Sequence, residues 1–254
     1  MKASPMGFPS AGVQRREGSP SIRRPAGDWQ LLYQVGLWAA VVVLCFIPIQ
    51  AVIYFVWPPP SSVIGWFALF QTNALVGLLD MDLLLMIDYV LMGLLFLALW
   101  AALWRANPSL MAIALILELV GVATYMASAV AFEMLSLSNQ YAAATSAGEK
   151  AIAEAAGQAL LATWQGTAFN VSYVLGAVAV LLVSLVMFQG GPFGKSTAYV
   201  GLVMAVLMAV PPTVGTVGVW LSLLSLIPTV VWLILLARSF YRLAHDRSLA
   251  EAAG

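Results

Sequence analysis

Apolar residues fill this chain in runs far longer than a water-facing helix can use, and short clusters of Pro, Gly, Asn and charge separate them. The first run extends from Trp29 to Trp57 and stops at Pro58-Pro59-Pro60. It is about twice as long as a signal-peptide core of about 7–15 residues, so it predicts a retained first span. The next stretch, Ser62 to Trp104, exceeds one span of about 20 residues and barely suffices for two. Beyond it, span three is expected at about 109–132, after the Asn107-Pro108 break, and span four at about 166–188, up to Gly190-Gly191-Pro192. Span five is expected at about 196–212, closed by Pro211-Pro212, and span six at about 217–237, with Pro228 in its middle. The Ala-dense stretch 138–165 reads as an outer loop in which Ser146-Ala147-Gly148-Glu149 matches a capping box and starts a short helix. Trp29, Trp57, Trp100, Trp104 and Trp164 fall at the expected boundaries, as interfacial aromatics do. No internal repeat supports an inverted-repeat transporter.

Basic residues resolve the second stretch. If it holds one span, the N-terminal tail, Arg105, Lys195, Arg238, Arg242 and Arg247 share the cytoplasmic side, and of the eleven Lys and Arg only Lys150 lies outside. If it holds two, the chain turns at Asp80-Met81-Asp82 and Arg105, Lys195 and the C-terminal arginines move outside. The positive-inside rule selects the first arrangement. The expected fold is an all-α, polytopic membrane bundle of six transmembrane helices, N-in/C-in. An outer-surface or re-entrant helix over 62–79 precedes span two, and a helical outer loop joins spans three and four. Residues 1–28, rich in Pro, Gly, Ser and Arg, read as a disordered cytoplasmic tail. Residues 29–243 form the transmembrane domain and 244–254 a short cytoplasmic tail.

Composition agrees and narrows the chemistry. The chain is 62% apolar and 9% charged, with a mean hydropathy of +0.95, whereas a soluble domain carries about 25% charged residues. A single Cys, Cys45, excludes an intrachain disulfide or a CxxC metal site. A single His, His245, excludes bis-histidine haem ligation and His-cluster zinc or di-iron chemistry. Eleven basic and eleven acidic residues balance, so no nucleic-acid footprint stands out. GxSxG and Walker motifs are absent, and a retinal Schiff base lacks its lysine because Lys150 and Lys195 sit in loops. No cofactor is expected, and no catalytic constellation points to an enzyme.

Ionisable side chains within a bilayer are costly, so each acidic residue near a span is a functional candidate. Five qualify: Asp80, Asp82, Asp88, Glu118 and Glu133, with no Lys or Arg in any expected span. At a rise of about 1.5 Å per residue, Asp80, Asp82 and Glu133 share the outer interface. Together they are weak candidates for a hard cation such as Ca²⁺, or they are solvated at headgroup level. Asp88 lies just inside the outer leaflet, at the height of Tyr125, Asn170 and Gln50, and these four suggest an outward-facing polar pocket. The alternative is a hydrogen bond that holds helices together. Glu118 is the deepest, about 14 Å from the cytoplasmic end. A protonatable carboxyl there suits proton coupling or a polar substrate contact, or a hydrogen bond to a carbonyl, Ser222 or Ser225. Asp88 and Glu118 differ in height by about 12 Å, which argues against a shared-proton dyad.

The run from Gly77 to Ser128, with Leu78-Leu79-Asp80-Met81-Asp82, Asp88 and Glu118, resembles a family of uncharacterised bacterial six-span membrane proteins known only as a domain of unknown function. So does the run from Gly166 to Leu243, with Phe193-Gly194-Lys195-Ser196-Thr197-Ala198-Tyr199-Val200-Gly201 leading into span five. The resemblance implies the six-span fold and a bacterial inner membrane, and it carries no activity. Two functions follow from the residues. One is a small-molecule or ion-binding membrane protein, with proton coupling through Asp88 and Glu118. The other is a non-catalytic accessory or structural subunit packed against a membrane-protein partner or a second copy of itself. A water-accessible cavity favours the first and a filled core the second.

Overall fold

Helices begin where the chain offers a cap and end where Pro or Gly removes the next hydrogen bond. The computed structural model describes residues 29–252, with side chains through His245; the expected tail over 1–28 and the side chains beyond His245 lie outside the described residues. The elements are α1 (Gln30–Val56), α2 (Val63–Thr72), α3 (Ala74–Leu78), a kink (Leu79–Leu83), α4 (Leu84–Leu103), α5 (Pro108–Ser128), α6 (Ala131–Ala143), α7 (Ala147–Trp164), α8 (Thr167–Gln189), α9 (Lys195–Leu207) and α10 (Gly215–Ala252). Asn107 Oδ1 accepts from Leu110 N at 3.1 Å, with Pro108 in the first helical turn of α5. The Ser146–Glu149 capping box opens α7: Ser146 Oγ accepts from Glu149 N at 3.2 Å and Glu149 Oε2 accepts from Ser146 N at 3.1 Å.

α1, α4, α5, α8, α9 and α10 close into a ring, each packed against the next and α10 returning to α1. Neighbours around the ring alternate in direction. Contacts at one end fix this: Gln30 Nε2 donates to Ala244 O at 3.3 Å, Asn107 Nδ2 to Gln189 Oε1 at 3.1 Å, and Trp29 meets Trp100 edge-on at 5.8 Å. That half of the ring is filled by a core including Ala40, Leu95, Phe96, Leu99, Val183, Trp232, Leu236 and Phe240. The opposite end carries a cap of α2, α6 and α7 around Trp66, Phe67, Phe70, Met81 and Met134. Ser138 Oγ donates to Phe67 O at 2.9 Å and pins α6 to α2.

Five segments hold a helix long and apolar enough to cross a membrane: α1, α4 with its lead-in, α5 with α6, α8 with α7, and α10. α9 has 13 residues, or about 20 Å, so it falls short of the expected span over 196–212. The chain leaves the helix at Met208, before Pro211-Pro212 remove two backbone donors. The lead-in over 62–79 is two helices, because Asn73 ends α2 with extended backbone and caps α3 through its side chain. The capped end is also more helical than expected. A break at Ala129-Val130 ends α5 at Ser128, and α6 begins at Ala131, inside the expected span three. α10 continues through residue 244 to Ala252 with no break where the tail was expected.

Candidate functional site

The capped half of the ring is not filled. A cavity of about 300 Å³ lies among the six helices, and each contributes to its wall. α1 supplies Val43, Ile47 and Gln50, and α4 supplies Leu85, Asp88, Tyr89 and Met92. Glu118 and Gly121 come from α5, and Ser172, Tyr173, Gly176 and Val180 from α8. α9 adds Met204 and Met208, and α10 adds Ser222, Ser225, Leu226 and Thr229. The lining residues of α8 and α10 span seven or eight positions, which makes the cavity about 10–12 Å long along the bundle.

Its polar groups divide into those with partners and those without. On α10, Ser225 Oγ donates to Ser222 O and Thr229 Oγ1 to Ser225 O, both at 2.7 Å. Tyr173 Oη and Ser222 Oγ share a hydrogen bond of 2.8 Å that ties α8 to α10. Glu118 is only 5% exposed, yet among the described residues its carboxyl forms no hydrogen bond and no ion pair. Its Oε2 lies 3.8 Å from where a Cβ on Gly176 would stand, so the absent side chain of Gly176 leaves room beside it. Asp88 Oδ1 is buried and also lacks a partner. Two carboxyl groups thus face one apolar cavity without a cation between them, an arrangement that carries a large desolvation cost for their charged forms.

A hydrogen-bonded chain leads away from the cavity towards the cap. Gln50 Nε2 donates to Tyr54 Oη at 3.0 Å, and Tyr54 Oη donates to Asp82 Oδ1 at 2.9 Å. The Trp164 indole N–H donates to Asp82 Oδ2 from the end of α7. Asp82 stands in the left-handed region at φ 72°, inside the kink that leads into α4. Asp tolerates this conformation better than most residues, and the two donors hold it there. Tyr54, Asp82 and Trp164 line a second cavity of about 450 Å³ that also contains Phe169 and Thr213. Leu85 belongs to the walls of both cavities.

The expected pocket is therefore partly assembled. Gln50 and Asp88 line the central cavity, and Glu118, expected about 12 Å deeper, lines the same one. Tyr125 does not reach Asp88. Its ring stacks on Tyr89 at 3.7 Å, and its buried hydroxyl lies on the side of Asp82. Asn170 turns to the cap end, where Nδ2 donates to Gly166 O at 2.8 Å and Oδ1 accepts from Thr213 Oγ1. Ser222 and Ser225 are engaged with Tyr173 and a helix carbonyl rather than with Glu118. The interface acids separate as well. Asp80 is fully buried with neither oxygen partnered, Asp82 is clamped, and Glu133 is exposed in the first turn of α6. Among the described residues no group of three His, Cys, Asp or Glu could hold a metal ion. Tyr89, Ser172, Tyr173, Met204 and Met208 join the site without a legible sequence signal. Only the polar residues among them interrupt an apolar run, and nothing in the run says which way they face.

All-helical, with five segments long and apolar enough to cross a membrane and a cavity lined by six helices, the chain has the make-up of a multi-pass membrane protein. Comparison with protein-family models, curated proteins and solved structures finds no match.

Proposed function

We propose that the protein is a small-molecule-binding protein of a bacterial cytoplasmic membrane, working as a proton-coupled carrier whose ligand occupies the central cavity. In this reading α9 is a short sixth span, accommodated by local bilayer thinning at modest cost, and both termini are cytoplasmic. Five of the six Lys and Arg within residues 29–252, namely Arg105, Lys195, Arg238, Arg242 and Arg247, support that orientation, because they follow or precede the uncapped ends of the ring helices while Lys150 lies in the cap. The observation that carries the functional reading is the cavity itself. A scaffold has no need of about 300 Å³ of unfilled space around Asp88 and Glu118, since bundle cores pack to the density of organic crystals.

Single cysteines in a Cys45→Ser background test both parts. Applied to intact cells, a small water-soluble thiosulfonate should modify Lys150→Cys and Ser225→Cys and spare Arg242→Cys. Labelling at 242 would refute the orientation. An inert Ser225→Cys in detergent-solubilised protein would make the core dry and refute the binding site.

A further inference from the structure

The charge of the ligand can be read from the groups around the cavity, given the reading of that cavity as a ligand site. We propose that it takes a monovalent organic cation with a compact apolar body, placed between Glu118 and Asp88 and admitted from the capped end past Leu85. No Lys, Arg or His lines the central cavity or its neighbour at the cap, whereas Asp88, Glu118 and Asp82 do. Glu118 is 95% buried by its 5% exposure, faces the cavity and has no hydrogen-bond partner among the described residues. A buried carboxyl of this kind gains most from a cation that brings its own apolar surface.

The remaining wall selects the rest of the ligand. Ile47, Met92, Val180 and Leu226 offer apolar contact, and the Tyr89 and Tyr173 rings offer faces of the kind that attract quaternary ammonium groups. A bare divalent ion needs six to eight oxygen ligands, about the number that binds Ca²⁺, and the aliphatic wall does not supply them. About 300 Å³ sits at the lower end of pockets that hold drug-sized molecules. The route follows from the shared wall. The cap-side cavity presents Asp82, held by Tyr54 and Trp164, and only Leu85 belongs to both linings. A cation arriving at Asp82 therefore meets Asp88, six residues further along the same segment, after passing one leucine.

The test uses the full chain in lipid nanodiscs with two probes of similar shape, benzyltrimethylammonium and the neutral alcohol 2-methyl-1-phenylpropan-2-ol, with empty nanodiscs as the partition control. The cation should bind at least tenfold more tightly than the alcohol. Glu118→Gln should weaken the cation tenfold or more and leave the alcohol unchanged; Asp88→Asn serves as the second variant if Glu118→Gln does not fold. Gly176→Leu, which places bulk beside Glu118, should abolish binding of both probes, and the exposed Glu133→Gln should affect neither. If both probes bind alike and Glu118→Gln shifts neither, the ligand is not a cation and the cavity reading survives. If cation binding persists in Gly176→Leu, it lies elsewhere and the proposal fails. If wild type binds neither probe, the proposal and the cavity reading fail together.

Discussion

The clamp on Asp82 can be weighed by removing one of its two donors. Trp164→Phe deletes the indole N–H that reaches Asp82 Oδ2 and keeps an aromatic ring against Trp66, which Trp164 meets edge-on at 5.7 Å. Asp82 is 5% exposed, and Tyr54 still donates to it at 2.9 Å. A hydrogen bond to a charged acceptor contributes about 1.5–3 kcal/mol in soluble proteins, and interhelical bonds in membrane proteins reach at most about 1.7 kcal/mol. The two bounds place this bond at roughly 1.5–1.7 kcal/mol. Trp164→Phe also loses apolar area, worth about 0.8 kcal/mol for each methylene equivalent uncovered, so the single variant overstates the bond. A double-mutant cycle with Asp82→Ala removes that contribution, because the lost area and the strain of Ala at positive φ appear on both sides of the cycle. Unfolding by sodium dodecyl sulfate titration in bicelles supplies the four free energies. A coupling energy within about 0.5 kcal/mol of zero, the ordinary scatter of additivity, would refute the claim that Trp164 holds Asp82 in its left-handed conformation.

Two further outcomes are expected. Gly201→Ala should destabilise the bundle by about 1–3 kcal/mol in the same titration, as overpacking does, because the new Cβ would press on Ser184 Oγ and lie 2.8 Å from Trp232 Nε1; a neutral result would mean that α8, α9 and α10 can separate there without cost. In the cap, the backbone N–H groups of Ser146 and Thr145 hold the Glu149 carboxyl below the usual carboxylate range. A depressed folded value makes its contribution fully present above the unfolded pKa of about 4.3 and lost as pH falls through the folded value. Glu149→Gln should therefore be less stable than wild type at pH 7, with the gap closing below about pH 4, followed by circular dichroism; a gap independent of pH would remove the carboxylate from the cap.

Helix boundaries were legible because their causes are local. Asn107-Pro108, Gly190-Gly191-Pro192 and the Ser146–Glu149 capping box act within one turn, and each falls where the chain pattern put it. The break at Ala129-Val130 and the short α9 were not legible, since Ala and Val belong equally to a continuing apolar helix and the tight run up to Pro211 reads as uninterrupted span. The kink at Leu79–Leu83 was hidden for a related reason. The donors that hold Asp82 within it come from Tyr54 and Trp164, 28 and 82 residues away.

The sequence by itself determined that the chain is helical and membrane-embedded, which segments are apolar enough to cross, and which few ionisable residues lie at the depth of those segments. These follow from hydropathy and charge, quantities carried by each residue alone. Only the tertiary structure decided that Gln50, Asp88 and Glu118 face one cavity while Tyr125 backs Tyr89 and Asn170 ties α8 to the chain before α10. Equal depth does not imply a shared face. α1, α4, α5 and α8 are apolar nearly all round, so their composition leaves the rotation of each helix open. Packing around the ring sets that rotation, and with it which carboxyl group meets empty space and which meets a neighbour.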